Sequence, residues 1–402
     1  MNFLKRNIPS GWALKKMPDV VKWSSGGTPK ATEKSYYENG TIPWLIIGDL
    51  NDGVVTSSAS KITELGLQNS SAKMIPVGTL LVAMYGSIGK LGITGIECCT
   101  NQAIAYAKEL KGVSTKYMYY YMAMMKSELI SHGKGGTQKN ISQTVLNSLE
   151  VLIPPEKEQE RIVNKIEELF SELDSAVETL KKTKKQLAVY RQSVLKDAFE
   201  DLQQETTLDQ CIVEKPRNGY SEKAVEYETK YRNLTLTATT SGFFKEDCFK
   251  YIDINIDDDS YLWVKKNDIL IQRANTLEYV GTSVVYSGED NKYVYPDLIM
   301  KCRAKPEFLP HFLVYQLQSL NCRKYFREHA TGTAGSMPKI NQKIVCSAPI
   351  KMANKNIQQK IVQNINAQFK ACESIEKTVN EALIQADAMR QSILKKAFEG
   401  GL

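Results

Sequence analysis

Two stretches of the 402-residue chain bring glycine together with cations, hydroxyls and amides. The first, residues 132–140, carries Lys134, Thr137, Gln138, Lys139 and Asn140 among its glycines. The second runs from Arg327 and His329 through Thr331, Thr333 and Ser336 to Lys339. Glycine lets backbone N–H groups approach a ligand closely, and the cations and hydroxyls suit phosphate oxygens. Each half also has a turn that follows an apolar stretch. One turn holds Tyr85, Ser87 and Lys90; the other holds Arg273, Asn275, Thr276 and Tyr279. Arginine and asparagine can make bidentate contacts to guanine and adenine edges. Any one of these loops alone reads as an ordinary solvated loop. Their recurrence at matching places in two halves points toward binding chemistry.

Catalysis leaves no comparable trace. The chain has no G-x-x-x-x-G-K-[ST], no G-x-S-x-G and no H-E-x-x-H. It lacks the Asn/Asp-Pro-Pro-Tyr/Phe run that an amino-methyltransferase needs to hold its target amine, since Ile153-Pro154-Pro155-Glu156 has neither the polar nor the aromatic end. Pro18-Asp19 and Pro296-Asp297 could open a metal-dependent nuclease motif, but neither is followed by a convincing Glu-x-Lys on a strand, and such pairs are common by chance. Eight cysteines are scattered without a C-x-x-C, and His132, His311 and His329 stand at no ligand spacing from them, which predicts reduced thiols and no zinc. The expectation is a binding protein, not an enzyme.

The elements that must position these loops come from a repeat. The decapeptide Arg191-Gln192-Ser193-Val194-Leu195-Lys196-Asp197-Ala198-Phe199-Glu200 returns 199 residues later as Arg390-Gln391-Ser392-Ile393-Leu394-Lys395-Lys396-Ala397-Phe398-Glu399. The match extends backwards without a gap: Gln159, Ile162, Val163, Ile166 and Phe170 recur as Gln358, Ile361, Val362, Ile365 and Phe369. Each copy predicts a long helix with a heptad stripe. In the first, Ile166, Leu173, Leu180, Leu187 and Val194 alternate with Ile162, Leu169, Ala176, Thr183 and Tyr190. In the second, Ile365, Cys372, Val379, Ala386 and Ile393 alternate with Ile361, Gln368, Ile375, Ala382 and Met389. Small residues in one stripe against bulky ones in the other suit two unlike partners. Connectivity requires the second helix to return where the first ran out, so the pair is expected to be an antiparallel coiled coil separating two globular domains.

Each globular domain is expected to be mixed. Apolar runs at 42–47, 77–84, 92–94 and 102–106 predict strands, and 116–130, with Tyr and Met at helical spacing, predicts a helix whose stripe is core. The second half replays the order in divergent form, with strands over 266–273 and 298–300 and a helix over 312–320. Net charge of +7 and pI ≈ 8.7 permit a polyanionic partner without demanding one. The first twelve residues carry Lys5 and Arg6 without an apolar region, so no secretory leader is expected, and no apolar run approaches membrane-spanning length. A cytoplasmic protein without membrane contact is expected.

Tandem domains each followed by a helix ending Arg-Gln-Ser-[Val/Ile]-Leu-Lys-x-Ala-Phe-Glu resemble the specificity subunits of type I restriction–modification enzymes. The resemblance covers the whole chain. It includes Gly11-Trp12 followed by Ser25-Gly26-Gly27-Thr28-Pro29, the strand and turn over 78–89, and Ile153-Pro154-Pro155 followed by Glu158-Gln159. The second half departs at the last of these, with Ala353-Asn354-Lys355-Asn356-Ile357-Gln358. The resemblance implies an α+β fold with two tandem target recognition domains, 1–155 and 204–353, and two antiparallel spacer helices, 156–203 and 354–402, in a pseudo-twofold repeat. It implies that each domain reads one half of a bipartite, asymmetric double-stranded DNA site. It also implies docking to two methyltransferase subunits and, through them, two restriction–translocase subunits. S-adenosylmethionine, ATP and Mg2+ would belong to those partners, with no cofactor in this chain. The repeated helix ends supply the expected docking residues: Arg191, Gln192, Lys196 and Phe199, with Arg390, Gln391, Lys395 and Phe398. Two other readings use the same features: a coiled-coil scaffold without DNA readout, and the recognition part of another methylation-based defence system.

Overall fold

Short strands and helices are interrupted twice by long helices, Glu156–Glu200 and Lys355–Phe398, of 45 and 44 residues. The computed structural model describes residues 8–135, 139–332 and 337–402. It divides into two compact units, Met1–Leu180 with Glu381–Leu402, and Lys181–Asn380. Each unit therefore takes a globular part and a segment of both long helices.

In unit 1 the main sheet has five strands, in the order Val21–Ser25, Ile104–Leu110, Leu80–Ala83, Leu91–Thr94, Gly53–Val55. In unit 2 it has four, in the order Ile212–Asn218, Ile299–Ala304, Ile269–Gln272, Ser283–Val285. The first four strands of unit 1 follow the same chain logic as the four of unit 2. The additions differ: a three-stranded sheet built on Ile42–Leu45 in unit 1, and the hairpin Tyr231–Leu234 with Phe249–Ile252 in unit 2. Both central strands are buried along their whole length, as a run of apolar residues with neighbours on both edges must be.

The run expected as one strand over 42–47 stops at Leu45. The Asp49 carboxylate accepts the Ile46 N–H at 2.8 Å, which turns the chain into the 3-10 helix Ile47–Asp49. The helix expected over 116–130 is two, Thr115–Met124 and Lys126–Ser131, the first capped by Ser114, whose Oγ accepts the Tyr117 N–H. Tyr117, Met118, Tyr121 and Met122 are fully buried, so the Tyr-Met stripe is core.

The second long helix begins at Lys355, 199 positions after Glu156, although its entry sequence differs. Asn354 takes over the start, its Oδ1 accepting the Ile357 N–H at 3.0 Å. One glutamine then does the same work in both units. Gln159 accepts the Ser114 N–H (3.0 Å) and donates to the carbonyls of Gly112 (2.9 Å) and Pro154 (3.1 Å). Gln358 accepts the Leu309 N–H (2.8 Å) and donates to Glu307 (3.0 Å) and Ala353 (2.8 Å). Both are buried, and each clamps the first turn of its long helix to the loop before a core helix.

Within each unit the two long-helix segments run antiparallel. In unit 1, Arg161 donates to the Leu402 carbonyl and Arg390 pairs with Asp174. In unit 2, Lys184 donates to Asn380 and Arg191 pairs with Glu376 at 3.1 Å. The heptad row from Ile166 to Val194, and its counterpart from Ile365 to Ile393, is buried or half-buried. The companion row differs in part from the expected one. Ile162, Leu169, Thr183, Ile361, Gln368 and Ala382 of that row are buried or half-buried, but Ala176, Tyr190, Ile375 and Met389 are exposed, and positions four residues after a heptad residue are shielded as well: Phe170, Val177, Arg191 and Ala198, then Phe369, Glu376, Leu383, Arg390 and Ala397.

Candidate nucleic-acid interface

The turn and loop residues singled out in the sequence meet at one junction in each unit. In unit 1 the chain leaves the central strand at Ala83 and closes a turn with Gly89 N–H donating to the Ala83 carbonyl at 3.0 Å. Gly89 has φ +74°, and a Cβ there would stand 3.1 Å from Lys126, so the turn needs glycine. Met84 and Ile88 anchor the turn in the core and leave Tyr85 and Ser87 exposed. A second loop is pinched shut where Lys134 and Asn140 exchange backbone hydrogen bonds of 2.9 and 2.8 Å. It is stitched to the turn by Gly86 N–H to the Lys139 carbonyl (3.1 Å) and Ile141 N–H to the Met84 carbonyl (2.9 Å). Tyr85, Ser87, Lys134, Lys139 and Asn140 thus share one exposed edge.

Unit 2 builds the same junction from other residues. Gly281, φ +78°, closes the turn by donating to the Gln272 carbonyl at 2.7 Å. Thr331 and Lys339 exchange the two pinching bonds, 2.8 and 2.9 Å. Asn275 N–H to the Pro338 carbonyl (3.3 Å) and Ile340 N–H to the Arg273 carbonyl (2.9 Å) repeat the stitches. Thr276, Thr331 and Lys339 are exposed, and Arg273 and Tyr279 are half-buried.

Some expectations need correction. Lys90 is half-buried, with its ammonium 3.4 Å from the Ile47 carbonyl, because the turn closes before it and directs it toward the 3-10 helix. Asn275 spends its amide inside the fold, donating to Gln272 Oε1 at 2.8 Å and accepting the Thr276 N–H at 2.8 Å. It shapes the turn instead of presenting a free amide. Thr137, Gln138, Thr333 and Ser336 lie outside the described residues. Sequence reasoning missed Arg323, whose guanidinium is buried and donates to the carbonyls of Val280 and Glu278, both at 2.6 Å. Burial pushes its pKa down to about 10, so it remains charged at neutral pH while holding the turn. Its signal was a cation sharing a helical stripe with Phe326, three residues on. Exposed Leu277 and Met337, apolar groups at the same junction, were missed too.

The helix ends also differ from the expectation of an exposed docking motif. Phe398 is buried against Tyr117 and Tyr121, with ring centroids at 5.1 and 5.3 Å, and Phe199 is buried against Phe312 at 5.6 Å. Arg191 and Arg390 are half-buried and ion-paired, and Gln192 is half-buried with its amide 3.4 Å from the Gln318 carbonyl. The repeated phenylalanines and arginines therefore pack the helix ends onto their units. Lys196, Gln391 and Lys395 are exposed.

Residues 9–187, which contain the whole unit 1 junction, match the type I restriction modification DNA specificity domain. Over 98% of its length the chain is also 22% identical to the type I restriction enzyme EcoKI specificity subunit of Escherichia coli K12, covering 90% of that protein. Residues 9–187 thus carry that family's domain, and the likeness to specificity subunits extends over nearly the whole chain. A partial match, 28% identical over 49% of the chain and 45% of the relative, is the MjaIX specificity subunit of Methanocaldococcus jannaschii. Two solved structures share the fold. A chain from a study of complex assembly and conformational transition of the type I R-M system superposes with TM-score 0.74 at 14% identity, over 98% of this chain and 100% of that one. The HsdS subunit from Thermoanaerobacter tengcongensis gives 0.53 at 16% identity over the full length of both. The family's role is DNA specificity and not catalysis. Among the described residues no three His, Cys, Asp or Glu side chains are grouped to hold a metal, and no helix is long and apolar enough to cross a membrane. All eight cysteines are free.

Proposed function

We propose that this chain reads a bipartite, asymmetric DNA sequence, one short half with each unit, and docks the subunits that act on it. The observation that carries this reading is the junction made twice by the same backbone bonds and furnished with unlike side chains. One frame with two sets of contact groups suits two unlike half-sites, where a palindrome would call for identical ones. In unit 1, Lys134 and Lys139 contact phosphates while Tyr85, Ser87 and Asn140 lie beside them; in unit 2, Arg273, Thr276, Tyr279, Thr331 and Lys339 take those places. The globular parts act as tandem target recognition domains in a pseudo-twofold repeat, and the paired long helices set the gap between half-sites. Two methyltransferase subunits, using S-adenosylmethionine, dock at the helix ends, where Lys196, Gln391 and Lys395 are exposed. Two restriction subunits, using ATP and Mg2+, join through them in the cytoplasm.

The test is the methyladenine map of DNA from cells making this chain with its methyltransferase. The expected outcome is a new motif of two unlike halves with a fixed gap, and exchange of residues 1–155 should change one half only. No new motif, with an active and bound methyltransferase, would leave a scaffold without DNA readout. In vitro, Lys134→Ala with Lys139→Ala should weaken binding to all sequences alike and lower the salt slope by up to about two. Unchanged salt dependence would remove both lysines from the interface.

A further inference from the structure

Unit 1 contains a cleft of about 670 Å³ whose lining includes Gly53, Tyr120, Phe170, Ser171, Arg390 and Gln391. Its floor is built alike in both units. Tyr120 packs edge-on to Phe170 at 5.8 Å and bonds Glu167; Tyr315 packs edge-on to Phe369 at 5.6 Å and bonds Asn366. Arg390 lies over the Phe170 ring at 5.0 Å, and Arg191 lies near the Phe369 ring at 6.0 Å.

What covers the floor differs. In unit 2, Gly242, at φ +79°, is tied to the core helix by Gln318, which donates to its carbonyl at 2.7 Å. The next residue, Phe243, seats its ring 6.1 Å from Phe369 and under the Arg191 guanidinium at 5.6 Å. In unit 1, Asp52, at φ +54°, holds the matching place, its carbonyl accepting from Tyr119 on the core helix at 2.5 Å. The next residue is Gly53, which brings no side chain. Arg191 therefore has two aromatic partners, while Arg390 has one among the described residues.

We infer that the unit 1 cleft is a docking seat for an aromatic side chain of the methyltransferase subunit, packed against both Phe170 and Arg390 as Phe243 packs against both Phe369 and Arg191. This rests on the docking reading above, and it deepens that reading. The occupant's chemistry is that of the ring seated in unit 2, and the cleft is continuous with exposed Gln391 of the repeated helix end. Unit 2 fills its own seat, so the two methyltransferase copies dock by unlike contacts.

Filling the seat from within tests this. Gly53→Phe is compatible with the backbone, since Gly53 is not at positive φ and a Cβ there meets nothing closer than 3.5 Å. Ser171→Trp fills the cleft from the helix side and serves as a second variant should the first misfold. The readout is methyltransferase stoichiometry and affinity on the full chain, by native mass spectrometry and titration. The expected result is that one of two copies is lost or weakened on the order of tenfold or more, with Glu172→Phe, on the same helix turn but outside the cleft, binding as wild type. Two copies bound at wild-type affinity by folded Gly53→Phe and Ser171→Trp would overturn the inference and leave the docking reading intact. No methyltransferase bound by the wild-type chain would overturn both.

Discussion

The two junctions share their backbone bonds and differ in what anchors them. In unit 1 the turn from Met84 to Gly89 is short and its anchors, Met84 and Ile88, are apolar. In unit 2 the turn from Arg273 to Gly281 is longer, and polar groups hold it from inside. Arg323 grips two of its carbonyls, and buried Gln272 donates to the Leu236 carbonyl and to the hydroxyls of Thr239 and Thr240 while accepting from Asn275. A frame fixed by strand pairing and one glycine leaves the turn free to change length and anchoring. That is the separation a reader of varied targets needs: a scaffold indifferent to the contact residues it carries.

The largest effect should come from breaking the joint that both units share. Phe398→Ala and Phe199→Ala each remove a buried ring packed on a core helix, at a cost of about 3–5 kcal/mol. If the joints serve their own units, hydrogen exchange should separate them. Phe398→Ala should speed exchange in Thr115–Met124 and spare Pro310–Gln318, and Phe199→Ala should do the reverse. Equal acceleration of both helices by either change would remove the distinction between the units.

Arg323→Met comes next and should act on unit 2 alone. It strands the buried Val280 carbonyl and takes the partner from the part-buried Glu278 carbonyl, at a cost of about 3 kcal/mol. Arg323→Lys should not restore stability, because one ammonium cannot span both acceptors in the fork geometry of guanidinium. Denaturant midpoints of the three proteins decide it; a lysine variant as stable as wild type would mean that charge alone holds the turn.

Gln159→Ala and Gln358→Ala should then cost alike, about 1–3 kcal/mol each, since each leaves the same three backbone groups without their partner. Unequal costs, measured by denaturant unfolding, would mean that the Pro154-Pro155 entry and the Asn354 cap contribute differently to helix starts that otherwise match.

How much of this was legible depended on how far local pattern determines contacts. The two halves, their long helices and the Tyr-Met core helix were readable because heptad and helical periods leave few alternatives. The recurrence of turn and loop was readable, since Asn140 and Lys339 stand 199 apart, as the helices do, but their meeting at one junction was not. In the core helices the offset falls to 195, as the pairs Ser114 with Leu309 and Tyr117 with Phe312 show, because the preceding loops differ in length. The companion row of the seam was misplaced in part, at Ala176, Tyr190, Ile375 and Met389, because positions three and four residues on lie on one helical stripe. Phe170 and Phe369, identical in the two copies, marked the shielded positions it left out. The repeated decapeptide was legible as a repeat, but not that its phenylalanines and arginines form a joint made twice inside the chain, which a search for outside partners does not anticipate. Arg323 was invisible as an anchor because its acceptors are carbonyls 43 and 45 residues away.

The smallest effect sharpens the comparison most. Arg191→Lys and Arg390→Lys keep the charge and the prospect of an ion pair with Glu376 or Asp174, but give up the planar group that stacks on rings. Arg191 has two rings near it, Phe243 at 5.6 Å and Phe369 at 6.0 Å, and is the less exposed of the two; Arg390 has Phe170 at 5.0 Å and lines the open cleft. Lysine can keep either partly exposed ion pair, so the difference should follow the rings: about 1 kcal/mol for Arg191→Lys and about 0.5 kcal/mol for Arg390→Lys in the free chain. Adding the methyltransferase should reverse the order, because an incoming ring gives Arg390 the second partner it lacks, and lysine at 390 would then weaken the complex while lysine at 191 would not. If stability and binding respond equally to the two substitutions, the open cleft is not what distinguishes the units.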